Sequence, residues 1–178
     1  MHVRELASWP IEKRKSFIDS LNTEEKCDFI DGLEYEMASF MPRDDKRYFD
    51  DIDVYIEHLQ AIDGLVDPAD TVRSHELAHA RCAWKLGVST VKFYTKILPS
   101  GREMGAFTAA FGPIDLPNIA FAAISVAPLL PSTYDIRGIR PLGYANAEYL
   151  EERIYKWNQR DTGLIIPMPG ECEQPEVL

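Results

Sequence analysis

Apolar residues recur at helical intervals along most of the chain and alternate over only one clear stretch. Ile11, Phe17, Ile18 and Leu21 predict a first helix, opened at Ser8-Trp9-Pro10 with Ser8 as its cap. Asn22 and Glu25, three apart, form a capping-box pattern for a second helix. Its apolar positions Phe29, Ile30, Leu33, Met37 and Phe40 run to a stop at Pro42. Phe49, Ile52, Tyr55, Ile56 and Leu59 make a third stripe, predicting a helix from Asp44 or Asp45 to Gly64. Val72, His75, His79, Cys82 and Leu86 then recur at steps of three and four. They predict a helix from Pro68 to Leu86, with Asp67 as N-cap and Gly87 as stop.

From Val88 to Leu98 the period changes to two, with β-branched and aromatic residues, so a half-buried strand is predicted. Pro99-Ser100-Gly101 supplies a turn into a second strand or extended edge from Met104 to Phe111. After Gly112-Pro113, Pro117 opens a helix through Ile119, Phe121, Ala122, Ile124 and Val126, ended or kinked by Pro128 and Pro131. Pro131 to Gly143 has loop composition, Ala145 to Arg160 is helical, and residues 163–178 read as an irregular tail. The pattern predicts a mainly α (α+β) fold with a small β-hairpin or sheet beside the 68–86 helix. Residues 1–66 form a helical extension and 67–162 the central domain.

Composition narrows the function classes. The 178 residues carry a net charge of −10, which argues against nucleic acid and anionic lipid as partners, since both require a basic face. The longest apolar run, Ile119 to Leu130, is interrupted by Ser125 and Pro128 and is too short for a bilayer. The charged start Met1-His2-Val3-Arg4-Glu5 gives no expectation of a signal peptide. Cys27, Cys82 and Cys172 are an odd, widely spaced set that fits reduced thiols and a cytoplasmic location.

The chemistry is concentrated at His75-Glu76-Leu77-Ala78-His79. Residues four apart on a helix share a face, so His75 and His79 can hold one metal ion, with Zn2+ expected. Glu76 is placed to deprotonate a metal-bound water. A third ligand is required, and position 82 is Cys while position 85 is Lys, so no third histidine stands close behind the motif. The downstream acids Glu148, Asp135, Glu151 and Glu152 are the candidates; Glu148, near the start of the late helix, is preferred, with Asp135 second. His58 reads as a surface or satisfied polar residue, and His2 has no assigned role. The acidic clusters Glu34-Tyr35-Glu36 and Asp50-Asp51-Ile52-Asp53 lack calcium-loop spacing and read as solvated faces.

His75-Glu76-Leu77-Ala78-His79-Ala80, then Trp84-Lys85-Leu86-Gly87, resembles the His-Glu-Ala-Gly-His-Ala segment of FtsH-type zinc metallopeptidases. The strand from Val91 to Leu98, the Pro99-Ser100-Gly101 turn and Met104-Gly105-Ala106-Phe107-Thr108 resemble that family's strand, its Ile-Pro-Arg-Gly-type turn and its Leu-Gly-Tyr-Thr segment. The likeness spans about residues 70–108. It implies a helical zincin-like peptidase domain, with zinc held by His75, His79 and a later acid and with Glu76 as general base. In the family that acid is an aspartate near a helix start; the nearest counterpart here, Gly143-Tyr144-Ala145-Asn146-Ala147-Glu148, carries Glu148. Family members join the peptidase to an ATP-driven unfoldase, and this chain has no Gly-x-x-x-x-Gly-Lys-[Ser/Thr] loop. The expected function is a soluble zinc metalloendopeptidase acting on a peptide or protein, bound as an added strand near 91–98. The alternative is a non-enzymatic relative in which zinc is structural and the domain serves as an adaptor.

Overall fold

The computed structural model describes residues 5–6, 8–37, 45–65, 67–97, 101–111 and 115–175. The expected breaks at Pro42, Pro99-Ser100 and Gly112-Pro113, with His2 and Asp44, lie outside these residues. The chain divides into two compact units, Met1–Arg43 and Asp44–Leu178, so residues 45–65 belong with the larger unit rather than with an extension ending at 66.

In the smaller unit, α1 spans Ile11–Ser20 and α2 spans Thr23–Met37. The capping box is present: Asn22 N–H donates to Glu25 Oε2 and Glu25 N–H to Asn22 Oδ1, both at 2.9 Å. Ser8 does not cap α1. Its hydroxyl donates to Glu5 O, and Pro10 holds the N-cap position. Phe17 makes edge contacts with Trp9 and Phe29.

The larger unit is mainly helical with one three-stranded antiparallel sheet in the order β1-β2-β3. Its elements are β1 Lys46–Phe49, α3 Ile52–Ala61, α4 Ala69–Lys85, β2 Thr90–Ile97, β3 Glu103–Phe111, α5 Asn118–Ser125, α6 Thr133–Ile139, a 3-10 turn Arg140–Leu142, and α7 Ala147–Asn158. Two expectations fail here for local reasons. Phe49 belongs to a strand rather than to a helical stripe, because it pairs with Phe93 while Asp51 caps α3 through the backbone N–H groups of Asp53 and Val54. The segment predicted as a loop from Pro131 contains α6, which starts at a capping box between Ser132 and Asp135.

Helix α4 organises the core. One side, with Ala78, Cys82 and Leu86, meets Ile119, Ala122 and Val126 near and on α5, Leu150 and Ile154 of α7, and Ile166 and Cys172 of the C-terminal segment. The other side, with Ala80 and Ala83, meets Tyr55, Ile56 and Leu59 of α3 and Val91 and Phe93 of β2. A helix buried on two sides requires small residues where its neighbours approach, and the alanines supply them. The helix starts after Pro68, which makes no side-chain cap, so Asp67 does not cap it as expected. Gly87 leaves it at φ +86, a left-handed conformation that glycine adopts without a Cβ penalty. The segment after residue 163 has no helix or strand among the described residues, yet Ile166 and Cys172 are fully buried.

Two polar inserts fix the sheet on α3. The Tyr55 hydroxyl donates to Tyr94 O at 2.6 Å and accepts from Phe107 N–H at 3.1 Å, bridging β2 and β3 beside their register shift. Gly105 packs close by: a Cβ there would lie 2.7 Å from Leu59 Cδ2. Glu103 accepts from Thr95 Oγ1 at 2.6 Å and Arg47 Nε at 3.0 Å, and its Oε2 lies 2.7 Å from His58 Nε2. His58 is thus a satisfied polar residue. Burial alone would raise the Glu103 carboxyl, but the Thr95 and His58 hydrogen bonds outweigh it and hold the carboxyl below its usual value.

Tyr55→Phe leaves Phe107 N–H without its partner and is expected to cost about 1–3 kcal/mol in denaturant unfolding. Because Glu103 has a depressed folded pKa, its contribution is present above the unfolded carboxylate value, about 4.3, and is lost as pH falls through the folded value. Glu103→Gln should therefore lower the unfolding midpoint more at pH 7 than at pH 3; an equal loss at both would remove the electrostatic account.

Candidate metal centre

Helix geometry places His75 and His79 one turn apart with ring centroids 4.9 Å apart. Asp135 of α6 closes on both: its Oδ2 lies 3.0 Å from His75 Nε2 and its Oδ1 3.3 Å from His79 Nε2. Ligand atoms of the three residues all lie within 4.8 Å of one another, so the group could hold a metal ion. The His75 side chain is 24% exposed and that of His79 9%, so the group is reached from one side.

Surrounding groups orient each member. His79 Nδ1 lies 2.7 Å from Ile124 O. A carbonyl can only accept, so Nδ1 carries the proton and Nε2 faces Asp135. Asp135 is held by its own helix start: Ser132 N–H donates to its Oδ2 at 2.6 Å, and Asp135 N–H donates to Ser132 Oγ at 3.2 Å. Glu76 is buried, and Thr108 Oγ1 on β3 donates to its Oε2 at 2.5 Å. Phe107 meets Tyr134 edge to face, bringing β3 beside the start of α6.

The electrostatics come from burial and charge. Burial raises the Glu76 carboxyl above its ordinary value, against the pull of His79 and the Thr108 hydroxyl. For His79 burial acts downward, but the Asp135 carboxylate overcomes it and the imidazole ends above its usual value. Burial would raise Asp135, yet the two histidines hold it well below the carboxylate range.

The structure thus brings together His75, Glu76, His79 and Asp135 and leaves the preferred acid outside. Glu148 lies exposed on the first turn of α7, where Asn146 caps the helix, and it does not belong to the group. Glu151 is on the same helix, and Glu152 pairs with Lys156. Sequence reasoning assigns no role to Ser132, Thr108 or Ile124. The Ser132-x-x-Asp135 spacing is the available signal for a helix start carrying an acid; Ile124 acts through its backbone and leaves no signal. The strand expectation also changes. β2 is paired with β1 over Phe93–Lys96 and with β3 on its other side, so that stretch offers no edge for an added strand, and β3 is the outer strand next to Glu76. Among the described residues no helix is long and apolar enough to cross a membrane.

Comparisons with known protein families, with curated proteins and with solved structures return no match.

Asp135→Ala should weaken metal binding by at least about tenfold, as His75→Ala and His79→Ala should, while Glu148→Ala leaves it unchanged. Metal content after dialysis, read by plasma emission, checks this; retention by Asp135→Ala together with loss by Glu148→Ala would reverse the ligand assignment.

Proposed function

We propose that the protein is a zinc-dependent metallopeptidase in which His75, His79 and Asp135 hold the ion and Glu76 is the general base. The observation that carries this reading is the convergence of Asp135 on the two histidines, beside a buried glutamate. Zinc bonds of about 2.0–2.2 Å in a tetrahedral site put ligand atoms about 3.3 Å apart. The His–Asp separations, 3.0 Å to one Asp135 oxygen and 3.3 Å to the other, are of that order, and the three ligand atoms all lie within 4.8 Å. Two imidazoles and one carboxylate leave a fourth position, as catalytic zinc requires. When bound, the ion supplies Lewis acidity and an acidified water.

The chain's residues do the rest. Ile124 O fixes the His79 tautomer, and Ser132 fixes the Asp135 carboxylate. Thr108 holds one Glu76 oxygen, so Glu76 accepts the water proton in a set orientation and returns it to the leaving amine. β3 is where an extended substrate backbone would lie, since its Thr108 reaches Glu76. The FtsH-type resemblance gains from Asp135, because the resemblance implies an aspartate near a helix start and Asp135 is the third residue of α6.

Glu76→Gln should bring peptide cleavage to background in a mixed peptide library while zinc remains near one per chain. Wild-type protein that binds zinc but cleaves nothing would assign the ion a structural role and the domain an adaptor function. Wild-type protein that binds no zinc would remove both readings.

A further inference from the structure

A cavity of about 220 Å³ lies at the other end of α5 from the Ile124 carbonyl that holds His79. Its walls include Ile119 near the start of α5, with Tyr144, Arg153, Lys156, Trp157 and Arg160. Residues 153, 156, 157 and 160 stand at steps of three, four and seven along and just past α7, so one face presents three cations and an indole to the cavity. In a chain of net charge −10 this is a local reversal of sign.

The cations are not equally committed. Lys156 pairs with Glu152 along the helix. Arg153 feels the neighbouring Glu152 and Tyr144 through space, but neither it nor Arg160 makes a direct ion pair among the described residues, so both can turn to a ligand in the cavity. Attraction to the helix dipole accounts for a cation in the last turn of α7. It does not account for two further cations and a fixed aromatic ring around one concave space. Trp157 is fixed because its Nε1–H donates to Leu164 O at 3.0 Å, leaving the ring rather than the N–H to meet a ligand.

We propose that this cavity binds a small phosphate monoester carrying a flat ring, with Arg153 and Arg160 on the phosphate and Trp157 and Tyr144 against the ring. A carboxylate has one charge and two oxygens and would satisfy one guanidinium. A phosphate carries about −1.5 to −2 charge and three acceptor oxygens, enough for two guanidinium forks. The volume is below the roughly 300–1,000 Å³ typical of sites for drug-sized ligands, so the ligand is small, and a nucleoside monophosphate serves as a probe that carries both groups. The site is separate from the metal group and does not depend on the peptidase reading.

The test is calorimetric titration of the full chain with a nucleoside monophosphate, inorganic phosphate and the parent nucleoside. The monophosphate should bind in a saturable way and tighter than inorganic phosphate, and the nucleoside should bind weakest. Arg153→Gln with Arg160→Gln should raise the monophosphate Kd at least tenfold. Both side chains are exposed, so the unliganded Tm should stay within about 2 °C of wild type. In the unaltered protein, amide shifts on titration should centre on residues 118–119 and 153–160, a readout that needs no variant. No saturable binding, equal affinity for nucleoside and monophosphate, an unchanged Kd in the double variant, or shifts centred on residues 75–79 and 135 would each overturn the proposal.

Discussion

Two polar side chains, Glu76 and His79, are buried within a helix that is itself packed on two sides. Burying such groups without partners costs several kcal/mol, so the surrounding elements must supply hydrogen bonds at fixed positions. Thr108 on β3 answers Glu76, Ile124 O on α5 answers one nitrogen of His79, and Asp135 on α6 answers the other. Three elements from different parts of the chain are thereby tied to one turn of α4. The sheet, α5 and α6 have the positions they do partly because that turn has to be satisfied.

The same demand explains why the site is well placed chemically. A carbonyl that accepts from Nδ1 leaves Nε2 as the outward nitrogen, which is the arrangement a metal-ligating imidazole needs. A carboxylate held at a helix start is already desolvated and oriented before it meets an ion. Solvent reaches the group mainly along His75, the more exposed of the two histidines.

Much of this is legible in the residues, and the parts that are not have definite causes. The α4 stripe, the helical composition of α7, the β2 alternation and the Asn22–Glu25 box all depend on near neighbours, and such patterns survive in sequence. β1 is hidden because Phe49 and Ile52 fit a helical period, and only pairing with β2 gives Phe49 its strand partner. The third acid is ambiguous because Glu148 and Asp135 both sit near helix starts, and local signals do not say which start folds back onto α4. Pro131, Gly138, Pro141 and Gly143 give residues 131–143 the composition of a loop, which masks the short helix that carries Asp135.

Asp135 belongs to a helix of only seven residues, reached through a proline-flanked turn. Such a helix is too short to persist on its own, so its docking depends on what its first turn touches. An ion shared by His75, His79 and Asp135 would clasp that segment to α4, and by linkage each tenfold rise in free metal above the dissociation constant would add about 1.4 kcal/mol to the folded state. The segment that completes the centre would then be fastened by the ion it helps to hold, and metal supply would set how long the protein stays intact as well as whether its site is charged.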